Sequence, residues 1–246
     1  MIRARALGRR AREGMRFPEL VEGHLIQREN RFRAAVEVLG QVAGAHVANS
    51  GRLRELLTSG RRVWLADRAS NRPGPPRKTA YDLVLVEAEG TLVSIDARVP
   101  NRLFSEALAP LWGAGGEVRI VPEVRWGESR LDFRLALGDR TSWVEVKSVT
   151  LARGGVALFP DAPTARGRRH LDALAEAVTQ GDKAAVVFIV QRGDADRFSP
   201  NGEADPAFAQ RLFEVASLGV AVKAFRCAVS LQEIIIAQEI PVQWPA

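Results

Sequence analysis

The chain has 246 residues and is 46% hydrophobic, enough for a sizeable core in one large or two small domains. It carries 35 Lys+Arg against 29 Asp+Glu, and a pI near 10.3 favours a polyanionic partner, most simply nucleic acid. A lone cysteine, Cys227, excludes an intrachain disulfide and a multi-cysteine zinc site, and no apolar run reaches the roughly 20 residues of a membrane span.

Lys78, Lys147, Lys183 and Lys223 are the only lysines, so the basic excess is arginine. The planar Arg fork grips two phosphate oxygens at once, although a base-biased genome produces the same excess. Residues 1–16 carry six arginines without the apolar stretch of a signal peptide, so a cytoplasmic protein is expected. That segment reads as a basic extension, either a nucleic-acid arm or a plain disordered or short helical tail.

Short β-like runs follow at Leu20–Gln27, Ala34–Leu39, Gln41–Val47, Arg62–Ala66, Tyr81–Glu87 and Thr91–Ile95, separated by turn signals such as Glu89-Gly90. So many short strands in residues 17–98 suggest an OB-like β-barrel, with Arg52–Leu57 as a short helix inside it. Arg77 and Lys78 end a basic, proline-rich loop suited to a phosphate backbone or simply to solvent.

From residue 99 the pattern changes to α/β. Pro100 opens a helix over Asn101–Trp112, and strands follow at Val118–Arg125, Arg130–Leu137 and Ser142–Val149. Leu151–Pro163 reads as a loop. Thr164 suits an N-cap for a helix running to Gln180, which Gly181 stops. Ala184–Gln191 has the unbroken apolar character of a central strand, then come a helix over Asp205–Ser217 and a strand over Gly219–Arg226. The expected fold is therefore α+β with two domains, a barrel over 17–98 and an α/β domain over 99–246.

The chemistry concentrates in residues 130–149, which read as a β-hairpin around a polar turn at Gly138. Alternation puts Asp132 and Arg134 on one face, and Glu145 and Lys147 share a face of the partner strand. If Leu137 pairs with Ser142, Asp132 lies opposite Lys147 and diagonal to Glu145. Two carboxylates so placed can converge on one Mg²⁺ or Mn²⁺, and the ammonium can orient an attacking water. Charged residues on the polar face of an exposed hairpin are the ordinary alternative.

Several separate stretches resemble one family. They are Arg28–Val36 (RENRFRAAV), His46–Gly51 (HVANSG), Arg77–Tyr81 (RKTAY), Pro100–Leu108 (PNRLFSEAL), Glu123–Phe133 (EVRWGESRLDF), Val144–Leu151 (VEVKSVTL) and Phe159–Leu171 (FPDAPTARGRRHL). In this order they resemble the sugar fermentation stimulation (SfsA) family over nearly the whole chain from Met15. The resemblance implies an OB-like domain followed by a PD-(D/E)xK nuclease-like domain, and DNA binding tied to sugar-utilisation genes. It also implies that Asp132 and the Glu145-x-Lys147 pair are the nuclease motif. Glu106 then matches a helix carboxylate that many superfamily members add to the metal site, a solvated helix residue being the alternative. Asn30, Ala35, Val47, Ala48 and Ser50 depart from the family pattern, all within the barrel domain.

Arg166 and His170, four apart on the helix after Glu145-x-Lys147, share a face suited to a DNA-backbone clamp, with Arg130 nearby on the hairpin. Glu123 is a further acid of uncertain face, and Phe32 and Trp126 suit either base stacking or the core. Two functions are expected: a Mg²⁺- or Mn²⁺-dependent nuclease acting on DNA, or a DNA-binding regulator without catalysis. Oligomeric state, a homodimer included, stays open.

Overall fold

The computed structural model describes residues 14–68, 79–112 and 117–244. The chain opens with β1 (Met15–Arg16), β2 (Leu20–Asn30), β3 (Arg33–Val38), β4 (Gln41–His46), β5 (Arg62–Asp67), β6 (Tyr81–Ala88) and β7 (Thr91–Ser94). Strands β2 to β7 form a sheet in the order β4-β3-β2-β5-β6-β7, and an additional β4–β6 pairing closes five of them into a barrel. This is the OB-type barrel expected from the spacing of the strands. Its interior is filled by the inward residues of each strand, Leu25, Val36, Ala45, Leu65, Leu83 and Val93 among them. The turns Leu39-Gly40 and Glu89-Gly90 have both residues at positive φ, the conformation that two-residue hairpins demand and that Gly supplies without strain.

Residues 52–57 form no helix. Leu53 has φ 48°, which an α-helix cannot pass through, and Leu56 and Leu57 donate back to its carbonyl in a single turn. Leu53 and Leu56 instead join the barrel core.

The second domain contains α1 (Val99–Leu103), β8 (Arg119–Trp126), β9 (Ser129–Leu137), β10 (Arg140–Val149), β11 (Leu151–Arg153), β12 (Val156–Phe159), α2 (Ala165–Thr179), β13 (Lys183–Val190), β14 (Arg197–Pro200), α3 (Pro206–Ser217), β15 (Ala221–Val229) and β16 (Glu233–Ile240). A seven-stranded sheet runs β1-β16-β15-β13-β10-β9-β8. Strands β10, β13 and β15 are parallel at its centre, and antiparallel strands flank them. On one face Val186, Phe188 and Val190 pack under α2 and α3; on the other Ala185, Val187 and Ile189 pack under α1. That two-sided burial explains the unbroken apolar run of β13.

Four expectations need correction. Met15 and Arg16 do not belong to a loose tail: they pair with Ile234 and Glu233 at the edge of the second domain's sheet. Residues 1–13 lie outside the described residues. The helix after Pro100 is not one regular cylinder: α1 passes into a π turn over Phe104–Leu108 and a 3-10 turn over Ala109–Leu111, where Pro110 has no N–H to continue an α-helix. The supposed loop at 151–163 holds β11 and β12, which join β14 in a separate three-stranded sheet. Strand β16 was not expected; its Ile234, Ile236 and Ile240 are buried.

The domains are bound together by polar contacts as well as by apolar ones. Ser94 of β7 donates to Gln191, whose amide donates to Ser148 of β10. The Asp161 carboxylate accepts the backbone N–H groups of Arg52 and Leu53 at 2.7 and 3.1 Å.

Candidate metal centre

The hairpin β9–β10 forms, with a different register. Leu137 pairs with Arg140, not Ser142, because Gly138-Asp139 closes a two-residue turn where a four-residue one was expected. The slip is two residues, so the side chains of the paired ladder, Phe133–Leu137 and Arg140–Val144, keep their expected faces. The paired ladder ends at Phe133–Val144. Beyond it the Asp132 carboxylate takes the place of a backbone carbonyl: one oxygen accepts from the Val146 N–H at 2.8 Å, the other from the Asn101 side chain at 3.0 Å. Leu131 packs under α2 whereas Phe133 packs under α1, so Asp132 stands where the strand's apolar side changes over.

Glu145 is 3% exposed and points toward α2. Its Oε1 accepts from Lys147 Nζ at 2.5 Å and is hydrogen-bonded to His170 Nδ1. Arg166 Nε donates to His170 Nε2 at 3.3 Å, leaving Nδ1 to face Glu145. Glu145 Oε2 is buried without a hydrogen-bond partner.

The electrostatics follow from this crowding. Burial, then the neighbouring Glu145 charge, push the Asp132 carboxyl up to about 6, against the opposing pull of the Val146 N–H, Lys147 and Asn101. Burial also pushes Glu145 up, but Lys147 and His170 outweigh it and hold that carboxyl below its ordinary range. The site thus keeps one carboxylate charged by direct partners and a second one poised near neutrality.

The other expected residues are distributed as follows. Glu106 lies in the π turn, its side chain 48% exposed and ion-paired with Arg102 at 2.8 Å. The residue of this helical segment that reaches Asp132 is Asn101, five residues earlier. Among the described residues no three His, Cys, Asp or Glu side chains form a ready-made metal cage. His170 is not a surface phosphate clamp: it is 6% exposed and committed to Glu145, while Arg166 stays exposed. Arg130 is exposed and 3.6 Å from Glu123, which has φ 52° and turns outward. Trp126 packs edge-on against Trp143 and donates to Glu176, a packing role. Phe32 is 50% exposed on the barrel. Arg77 and Lys78 lie outside the described residues. Sequence reasoning missed Asn101 and the His170–Glu145 contact, and neither has a local sequence signal.

The model of the "Sugar fermentation stimulation protein RE domain" matches residues 98–233, and that of the "SfsA N-terminal OB domain" matches residues 26–95. A sugar fermentation stimulation protein homolog from Moorella thermoacetica is 48% identical over 85% of this chain and 90% of that one. The chain belongs to the sugar fermentation stimulation protein family. The homolog of that name from Chloroflexus aurantiacus is 41% identical over 98% of this chain and 95% of its own. A solved family structure, described as "The structure of Pyrococcus Furiosus SfsA in complex with Ca2+", matches with a TM-score of 0.82 and 32% identity over 93% of this chain and 98% of that one.

Proposed function

We propose that this family member is a divalent-metal-dependent phosphodiesterase acting on DNA, with a PD-(D/E)xK-type centre on the β9–β10 hairpin. The observation that carries this reading is the orphaned, buried Oε2 of Glu145 beside the Asp132 carboxylate. A buried oxygen without a donor costs about 1–3 kcal/mol, and a cation is the simplest partner to remove that cost.

The residues fit a hard cation. Mg²⁺ is commonly held by one or two carboxylates and keeps several waters, so a three-ligand cage is not required. Asp132 and Glu145 would hold it, and the Ca²⁺ complex of the Pyrococcus furiosus relative supports an oxygen-lined site of this class. When bound, the ion would activate water and neutralise charge on the phosphate.

The chain's own residues do the rest. His170 and Lys147 both occupy Oε1, which leaves Oε2, without a donor among the described residues, to take a cation. Asn101 and the Val146 N–H fix the orientation of Asp132. Lys147, with 12% of its side chain exposed, can turn its ammonium to a nucleophile or to the developing phosphate charge. Exposed Arg166 at the start of α2 is placed to meet phosphate.

A second reading, binding to DNA without catalysis, is favoured by one observation: Glu106 is engaged by Arg102 and adds no third carboxylate. Incubation of end-labelled DNA with Mg²⁺ or Mn²⁺ decides between them. The nuclease reading expects cleavage by wild type and none by Glu145→Gln with DNA binding retained. Equal cleavage by the variant overturns the site, and no cleavage by either protein with salt-sensitive binding by both favours the regulator.

A further inference from the structure

A cleft of about 410 Å³ lies between the two domains. One wall is the barrel segment Asn49–Leu53; the other is the end of β10 and the segment leading to Thr164, the N-cap of α2. Val149 lines it and lies two residues beyond Lys147 on the same strand face, a step of roughly 7 Å. The cleft therefore adjoins the end of the strand that carries Glu145 and Lys147.

Its charge is one-sided. Arg31 and Arg52 line it, both are exposed, and neither guanidinium has an ion-pair partner among the described residues. Asp161, the one acid among the described lining residues, spends its carboxylate on the backbone N–H groups of Arg52 and Leu53. Gly51 is required at the floor, where a Cβ would meet Asp161 Oδ2 at 2.9 Å and Asn49 Oδ1 at 3.0 Å. The mouth is also fixed. The Arg28 guanidinium donates to the carbonyls of Arg31, Asn49 and Arg52, tying the β2–β3 turn to the cleft wall. That turn presents Phe32, 50% exposed, next to Arg31, and the Asn30 side chain holds the Phe32 N–H at 2.9 Å. The cleft thus has two arginines along it whose guanidinium groups lack an ion-pair partner among the described residues, and the turn that carries one of them also carries an exposed aromatic.

We propose that this cleft is the seat of a single nucleic-acid strand, with a base stacked on Phe32, phosphates on Arg31 and Arg52, and the backbone directed toward Glu145 and Lys147. Its direction of travel rests on the phosphodiesterase reading of the hairpin; the binding surface does not. Stacking on aromatics together with a basic groove is how OB-type barrels hold single strands. Size selects the strand over the duplex. Sites of about 300–1,000 Å³ hold drug-sized ligands, so this one takes a nucleotide or two. A duplex, with two paired strands across its width, needs more room than a nucleotide or two.

The test is fluorescence anisotropy with the full chain in EDTA, titrated into labelled oligo-dT, oligo-U and a duplex of equal length. A single strand should bind at least about tenfold more tightly than the duplex. Phe32→Ala should weaken it by roughly 5- to 100-fold, and Arg52→Glu should weaken it while flattening the salt dependence. Preference between oligo-dT and oligo-U tells DNA from RNA. Thermal melts of both variants guard against misfolding, and both positions are exposed. Equal or tighter binding of duplex, or unchanged single-strand affinity in well-folded Phe32→Ala and Arg52→Glu, overturns the proposal. Because EDTA prevents cleavage, a hairpin that proves inactive leaves this result standing, and lost strand selectivity leaves the hairpin's chemistry standing.

Discussion

His170 Nδ1 is hydrogen-bonded to Glu145 Oε1 inside the second domain, and the other oxygen of that carboxylate has no partner among the described residues. The pair makes His170 a positioning residue for a cation on Oε2. His170→Ala should reduce Mn²⁺ affinity by about 10–100-fold, the usual effect of losing a residue that orients a ligand. His170→Asn should restore part of it, since a carboxamide can still donate to Oε1. Isothermal titration with Mn²⁺ checks this. Wild-type affinity in His170→Ala would remove His170 from the account.

Asp132 gives a pH prediction for the metal-free protein. Its folded carboxyl releases its proton near pH 6, against an ordinary value of 3.8. Between those values the folded state binds more protons than the unfolded one, so stability falls as pH rises through the window. Asp132→Asn should abolish that fall and raise stability at pH 7–8 by about 1–2 kcal/mol, discounted for partial exposure. An amide oxygen can still accept from Val146, and Asn101 can flip to receive the new N–H. Urea unfolding in EDTA at pH 4.5 and 7.5 measures it; a variant less stable than wild type at pH 7.5 contradicts the repulsion.

The hairpin's chemistry was legible because it depends on alternation. Even with a register misplaced by two residues at Leu137, alternation along β10 kept Glu145 and Lys147 on one face, with Asp132 beside them at the end of the ladder. Strand β13 was legible for a similar reason, since burial on both sides leaves an unbroken apolar run. The contacts that complete the site were not. His170 and Glu145 are 25 residues apart in the chain and meet only because α2 docks on β10. Glu106 is held by Arg102 while Asn101, five residues earlier, reaches Asp132, and nothing in the helical periodicity announces that contact. β11, β12 and β14 are too short to show a period, and each depends on the others for pairing.

The junction between the domains also has a measurable consequence. Gln191 is fully buried and links Ser94 of the barrel to Ser148 beside Lys147. Gln191→Ala should cost about 1–3 kcal/mol by leaving the buried Ser94 hydroxyl unpaired, with unfolding still a single transition if the domains are coupled. Urea denaturation followed by tryptophan fluorescence checks it, and an unchanged midpoint would show that the link carries no stability.

The central claim is that Glu145 Oε2 and Asp132 share a divalent cation. Diffraction from crystals soaked in Mn²⁺, with data collected for its anomalous signal, tests it most directly. The account predicts one strong peak within bonding distance of Glu145 Oε2 and an Asp132 oxygen, lost in Glu145→Gln crystals. Mn²⁺ bound elsewhere, or no peak while Glu145 Oε2 still lacks a partner, would contradict it.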